Sequence, residues 1–207
     1  SMMLPMLLMI FLFSGCMAVA PESIAGEKER GTIATLLVTP MKRSSLALGK
    51  IISLSAIALL SGLSSFLGTM LSLPNLMGMD AGSGMDASVY SVADYGLLLG
   101  LILTTVLLLV AVISIISAMS KSVKAAGTAI SPLMIVVMGI SLIPMFSGGG
   151  ESSIAYSFIP IFNSVRSMYD IFSFQCSTVN VALTMVCNLI YAGILTFVLT
   201  RMFNDEK

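Results

Sequence analysis

At 207 residues, 57% hydrophobic and only 10% charged, the chain has the composition of a protein whose solvent is lipid, since a soluble domain carries roughly 25% charged residues. Lys and Arg (10) balance Asp and Glu (10) to a net charge of zero, which excludes a basic surface for nucleic acid. Histidine is absent, which removes the commonest metal ligand and general base, and the mean hydropathy is +1.04.

A helix that crosses a bilayer core needs about 20 consecutive apolar residues. The first uncharged run, 1–21, meets that length, and a span over 2–21 is expected. No basic stretch precedes it and Pro21-Glu22 makes a poor small-residue cleavage site, so it reads as a span and not a signal sequence.

The stretch 22–50 follows, with Glu22, Glu27, Lys28, Glu29, Arg30, Lys42, Arg43 and Lys50. Ile33, Leu36 and Leu37 lie at i, i+3, i+4 and share a helical face, and Pro40 ends that helix because it lacks a backbone donor. Residues 22–45 therefore read as a loop holding an amphipathic helix at the membrane surface. A solvated connector that only fixes topology is the plain alternative. It needs no glutamates, and 22–29 holds Glu22, Glu27 and Glu29. Mixed charge beside an apolar stripe suits docking into a groove on a cytoplasmic partner better than lying on anionic lipid.

Further spans are expected over 46–73, 95–119, 126–146 and 178–200, within the uncharged runs 51–79, 95–120, 125–150 and 171–200. The run 152–165 is too short to span and contains Pro160, so it fits a re-entrant or interfacial segment. Gly148–Gly150 read as a flexible turn. The fold class is thus an all-α polytopic membrane protein with five transmembrane helices, a cytoplasmic amphipathic helix and short external re-entrant or interfacial helices.

Basic residues concentrate on the cytoplasmic side of membranes. Placing 22–50, 120–127 and 201–207 inside puts every Lys and Arg except Arg166 there. The outer side then receives Asp80, Asp86 and Asp94, and also Glu151, Arg166 and Asp170. The N-terminus is external and the C-terminus cytoplasmic.

No span carries Asp, Glu, Lys, Arg or His at its middle, where ion-coupled carriers and proton pumps place them. The intramembrane polar groups are hydroxyls, read as packing residues, and one amide, Asn188, which needs a partner in hydrocarbon. Cys16, Cys176 and Cys187 are scattered and read as small hydrophobes, without a disulfide framework or a metal site. The 17 methionines read as gap-fillers. There is no HExxH, no G-x-S-x-G and no phosphate-binding loop, since Gly49-Lys50 lacks the upstream glycine and the downstream hydroxyl. An intramembrane enzyme is disfavoured. A transport component and a non-transporting membrane scaffold or assembly factor that recruits a cytoplasmic partner remain as the two readings. No catalytic residue, substrate-binding residue or metal ligand is assigned.

The stretch ESIAGEKERGTIATLLVTPMKRSSLALGKI contains E-x-E-R-G-T, then L-L-V-T-P, then a basic residue and L-x-L-G-K. It strongly resembles the first cytoplasmic loop of type-2 ABC exporter permeases, closest to the branch associated with sodium efflux and drug export. IPIFNSVRSMYDIF (159–172) is similar to the short external helices before the last span of such permeases. The resemblance implies that the loop is a coupling helix inserted into a separate ATPase subunit. Glu27, Glu29, Arg30, Gly31, Thr32, Leu36, Leu37, Thr39 and Pro40 would make that contact. The segment 152–172 would be an external gate, with Pro160, Phe162, Asn163 and Arg166. The resemblance also implies two permease copies, or this chain with a related permease, surrounded by membrane lipid in a prokaryotic plasma membrane. No cofactor would be bound by this chain; ATP and Mg would sit on the partner subunit. Six spans are usual in such permeases, with a large external domain after the first, so this chain is expected to begin at the second.

Overall fold

The computed structural model describes residues 3–31, 43–76, 92–146, 159–173 and 177–205. They form six helices: α1 (Leu4–Glu29), α2 (Arg43–Leu76), α3 (Val92–Met119), α4 (Val123–Phe146), α5 (Phe162–Phe172) and α6 (Thr178–Asp205). Among the described residues there is no strand. Five of the helices are long and apolar enough to cross a membrane, over Leu4–Glu29, Gly49–Thr69, Ala93–Met119, Val123–Pro144 and Thr178–Met202. At 11 residues α5 is not.

Apolar residues alone do not sort these helices, because lipid is as apolar as a helix interior. Position in the bundle shows in burial. Of the residues in the apolar windows, 56% are buried in α3 and 50% in α1, against 17% in α2, 22% in α4 and 28% in α6. The inner helix α3 touches all five others, and its Leu101, Ile102, Val106, Leu109 and Ile113 are sealed from the surface. Helices α2 and α6 also touch each other, and α1 touches α2, α4 and α5.

Close packing replaces hydrophobic drive between helices in lipid, and small residues make it possible. A Cβ at Gly62 would lie 3.1 Å from Val106 Cγ2 and 3.5 Å from Ile102 Cγ2, so the bare backbone sets the approach of α2 to α3. Gly15 does the same between α1 and α2, where a Cβ would press on Ser61.

All five long helices differ at one or both ends from the expected spans, and two of these differences are instructive. The first span was expected to end at 21, with a loop from 22. Instead α1 runs through Pro21 to Glu29. A proline inside a helix costs about 3 kcal/mol, but the continuation buries Ile24 and Ala25 completely, and tertiary packing outweighs local propensity. The second difference is α2, whose 34 residues extend about 50 Å at a helical rise of 1.5 Å, well beyond a hydrocarbon core of about 30 Å.

Candidate functional site

The structure assembles two polar clusters. The first is built on the end of α1. Its last turns leave the apolar bundle, yet Gly26 keeps them close, since a Cβ there would stand 3.3 Å from Val123 Cγ2 of α4. Lys50 of α2 pairs with Glu27 and donates to the Ser23 carbonyl at 2.6 Å, with the Ser23 hydroxyl at 3.4 Å. Lys28 donates to the Ala118 carbonyl in the last turn of α3. Glu29 Oε2 accepts the Val123 backbone N–H, 3.0 Å away, at the first residue of α4. Arg30 pairs with Glu22 on the exposed surface. The helix then closes: the Gly31 N–H donates to the Lys28 carbonyl at 3.2 Å, with Gly31 at a φ of +70°, a left-handed end that glycine adopts without a steric penalty.

Lys28 and Glu29 follow the helix dipole. A helix presents unpaired carbonyls and partial negative charge at its C-terminus, and unpaired N–H groups and partial positive charge at its N-terminus. A cation meets the end of α3 and an anion meets the start of α4. Ser122 adds its hydroxyl as acceptor for the Ala125 N–H at 3.1 Å, an N-cap in the usual sense.

The second cluster lies at depth. Asn163, Ser164 and Ser167 of α5, Thr184 and Asn188 of α6 and Thr105 of α3 are all buried. Asn188 sits at the node. Its Oδ1 accepts from Asn163 Nδ2 at 3.3 Å, and its Nδ2 donates to Ser164 Oγ at 2.8 Å and Thr105 Oγ1 at 3.4 Å. Thr105 passes its own proton to the Leu101 carbonyl at 2.7 Å. Asn163 Oδ1 accepts the Ser164 N–H at 2.6 Å, and Ser167 and Thr184 hydroxyls bond at 3.0 Å. Each group therefore has the partner that burial in a low-dielectric interior demands.

This network also fixes how α5 lies. Asn163 and Ser164 meet Asn188 while Ser167 meets Thr184, so α5 and α6 run antiparallel. Asn188 is ten residues past Thr178, about 15 Å along its helix. The N-terminal end of α5 thus dips into the bundle, which favours the re-entrant over the interfacial arrangement. Its entry is strained: Ile161 has a φ of 71° and a ψ of −52°, and the Phe162 N–H donates back to the Pro160 carbonyl at 2.9 Å. A γ-turn with positive φ on a β-branched residue is rare and costly. Further along α5, Arg166 Nε lies 3.2 Å from Asp170 Oδ1. Burial pushes the Asp170 carboxyl above its ordinary value, and the Arg166 guanidinium pulls it part of the way back.

Of the residues expected to contact an ATPase, Glu27 is paired within the bundle, Glu29 caps α4, Arg30 is exposed and Gly31 ends α1. Thr32, Leu36, Leu37, Thr39 and Pro40 lie outside the described residues. Of the expected gate residues, Pro160 is exposed at the turn, Phe162 begins α5, Asn163 is in the buried network and Arg166 is ion-paired. Sequence reasoning singled out Asn188 and, separately, Asn163, but it did not pair them, and it did not identify Ser164 and Thr105 as further partners of Asn188 or the Ser167–Thr184 pair beside them. Lys28, Ser23 and Lys50 were also missed as structural partners. The i, i+4 spacing of Asn163 with Ser167, matched by Thr184 with Asn188, is the signal that pairs two polar faces.

Neutral amides and hydroxyls of this kind hold helices in register and stay uncharged at neutral pH. Among the described residues, no group of three or more His, Cys, Asp or Glu is placed to hold a metal ion. The charged cluster has the opposite character, with full charges at helix ends beside solvent.

Comparison with known proteins gives two findings. The family described as ABC-2 family transporter protein matches residues 1–201. The chain is 33% identical over 171 residues to the ABC transporter permease protein NatB of Bacillus subtilis (strain 168), covering 79% of this chain and 42% of that protein. The chain therefore spans less than half the length of this relative.

Proposed function

The chain belongs to the ABC-2 family of transporter proteins, and from that premise we propose that it is the membrane-spanning permease part of an ATP-driven exporter. A separate ATPase subunit supplies the energy, docking on the cytoplasmic segment from Glu27 to Pro40. A second permease copy or a related permease completes the pathway, in a prokaryotic plasma membrane. ATP and Mg are bound by the ATPase. The observation that carries this reading is the family match over residues 1–201, which runs through all five apolar helices. The bundle supports it as well: Lys28, Arg30, Lys50, Lys121 and Lys124 gather where α1 ends, α2 begins and α3 turns into α4, the arrangement required of a cytoplasmic face.

Two measurements test the proposal. The purified chain is expected to bring down an ATPase subunit and to hydrolyse no ATP without it. Robust hydrolysis by the chain alone overturns the reading. Arg30→Glu, at an exposed position, is expected to leave the melting temperature near wild type. Its association with the ATPase is expected to weaken by about tenfold or more, because a reversed charge at a docked interface costs roughly 2–5 kcal/mol.

A further inference from the structure

Of the basic residues gathered where α3 turns into α4, Lys28, Arg30 and Lys50 are spent inside the protein. Lys28 serves the Ala118 carbonyl, Arg30 serves Glu22, and Lys50 serves Glu27 and Ser23. Lys121 and Lys124 differ. Both are exposed, and neither meets a carboxylate or a hydrogen-bond acceptor among the described residues. They flank the start of α4, the end of a helix that carries partial positive charge. Glu29 brings one carboxylate to that turn, on the Val123 N–H, and its neighbour Lys28 offsets it. The charge of Lys121 and Lys124 is left for a partner.

What lies below the lysines decides the kind of partner. Positions i, i+4, i+8 and i+11 share one face of a helix, so Lys124 heads a row of Thr128, Pro132 and Ile135, all exposed. The row runs down the apolar stretch Val123–Pro144, from the membrane boundary into hydrocarbon. A lysine at such a boundary lays its stem on apolar surface and keeps its ammonium among the headgroups. The hydroxyl protons here are used within the helix: Thr128 donates to the Lys124 carbonyl at 2.9 Å, and the neighbouring Ser131 to the Gly127 carbonyl at 2.8 Å. The face therefore has no free donor for a polar cargo and suits an acyl chain. A water-borne protein could meet the ammoniums but not the row beneath them. A two-fold copy packed on the same row would set Lys121 and Lys124 against their own images, and like charges repel.

We propose that Lys121, Lys124 and the exposed row of α4 bind one anionic phospholipid, its phosphate between the two ammoniums and an acyl chain along Thr128, Pro132 and Ile135. The site goes beyond the transport reading and needs no ATPase subunit to form. Arg201, at the end of α6, is also exposed but lies over the Phe197 ring, 5.6 Å from its centroid. It supplies the control for basic charge in general.

The test titrates the full chain, purified in detergent, with dioleoyl phosphatidylglycerol or dioleoyl phosphatidylcholine and counts bound lipid by native mass spectrometry. Wild-type protein is expected to bind phosphatidylglycerol about tenfold or more tightly than phosphatidylcholine, since each lysine near an anionic headgroup is worth about fivefold. Lys121→Gln/Lys124→Gln is expected to lose that preference and Lys124→Arg to keep it. Thr128→Phe keeps both lysines but fills the top of the row, and is expected to weaken phosphatidylglycerol by about fivefold or more. Should the double variant yield no protein, Lys121→Gln and Lys124→Gln singly are each expected to show a loss of about fivefold. Equal affinity of the wild type for the two lipids overturns the site. So does a loss in Arg201→Gln equal to that in the lysine pair, which would show surface charge alone. An unaltered affinity in Thr128→Phe overturns the seating on α4. If the lysine pair keeps its lipid preference but loses the ATPase subunit or a two-chain species, the residues belong to a protein contact and the proposal fails.

Discussion

The two polar clusters solve the same problem with different chemistry. At the end of α1 the helices are joined by full charges: Lys50 to Glu27, Lys28 to a carbonyl and Glu29 to an N–H. Around α5 they are joined by neutral amides and hydroxyls. The physical reason is depth. An unpaired charge in a low-dielectric interior costs several kcal/mol even after relaxation, whereas a neutral hydrogen-bonded pair is roughly neutral to modestly favourable there. The charges at the end of α1 sit where water and the helix dipole stabilise them, and the charged residues Arg166 and Asp170 of α5 are paired with each other.

The contrast is testable, beginning with its largest expected effect. Asn188→Leu removes the node of the buried network, the acceptor of the Asn163 Nδ2 bond and the donor to Ser164 and Thr105. A loss of about 3 kcal/mol is expected, since each stranded buried group costs about 1–3 kcal/mol, and thermal unfolding in detergent reads it. If Asn163→Leu/Asn188→Leu proves no more stable than the sum of the single changes predicts, the network is not a coupled unit.

The charged cluster should respond less. Lys50→Met removes the Lys50–Glu27 ion pair and the ammonium that donates to the Ser23 carbonyl. About 2 kcal/mol is expected to be lost, as for other hydrogen bonds to charged groups. The cost should shrink in Lys50→Met/Glu27→Gln. An undiminished cost in the double variant would show that Lys50 contributes packing and not charge.

A third change reverses the sign. Ser114 of α3 is fully buried and its hydroxyl has no hydrogen-bond partner among the described residues, unlike Thr105 of the same helix. Ser114→Ala is expected to stabilise the fold by about 1 kcal/mol, since it removes an unsatisfied group. Thr105→Val should destabilise it. Equal effects of the two changes would break the distinction between satisfied and stranded hydroxyls.

Much of the architecture was legible in the sequence. Hydropathy sums locally, so the runs 1–21, 95–120 and 125–150 already marked helices that the structure places at Leu4–Glu29, Val92–Met119 and Val123–Phe146. The continuation of α1 past Pro21 was hidden, because proline and the charges after it both signal a stop. Only the burial of Ile24 and Ala25 against other helices overrides that signal. The E-x-E-R-G-T pattern was readable in the sequence, but not the pairing of Glu27 with Lys50 or of Glu29 with the start of α4.

The sequence by itself marked five segments apolar and long enough to cross a membrane as helices and gathered nine of the ten Lys and Arg residues into the stretches expected on one side, because apolar length and charge placement are properties of single segments. Only the tertiary structure decided which of those helices lies at the centre, since all five are apolar and hydropathy cannot rank them. It also decided where α5 sits and what Asn188 bonds to. A buried amide requires a partner, but the requirement does not name one. The partner is set by which helix faces meet, through contacts between residues far apart in the chain, such as Thr105 with Asn188 and Lys28 with Ala118.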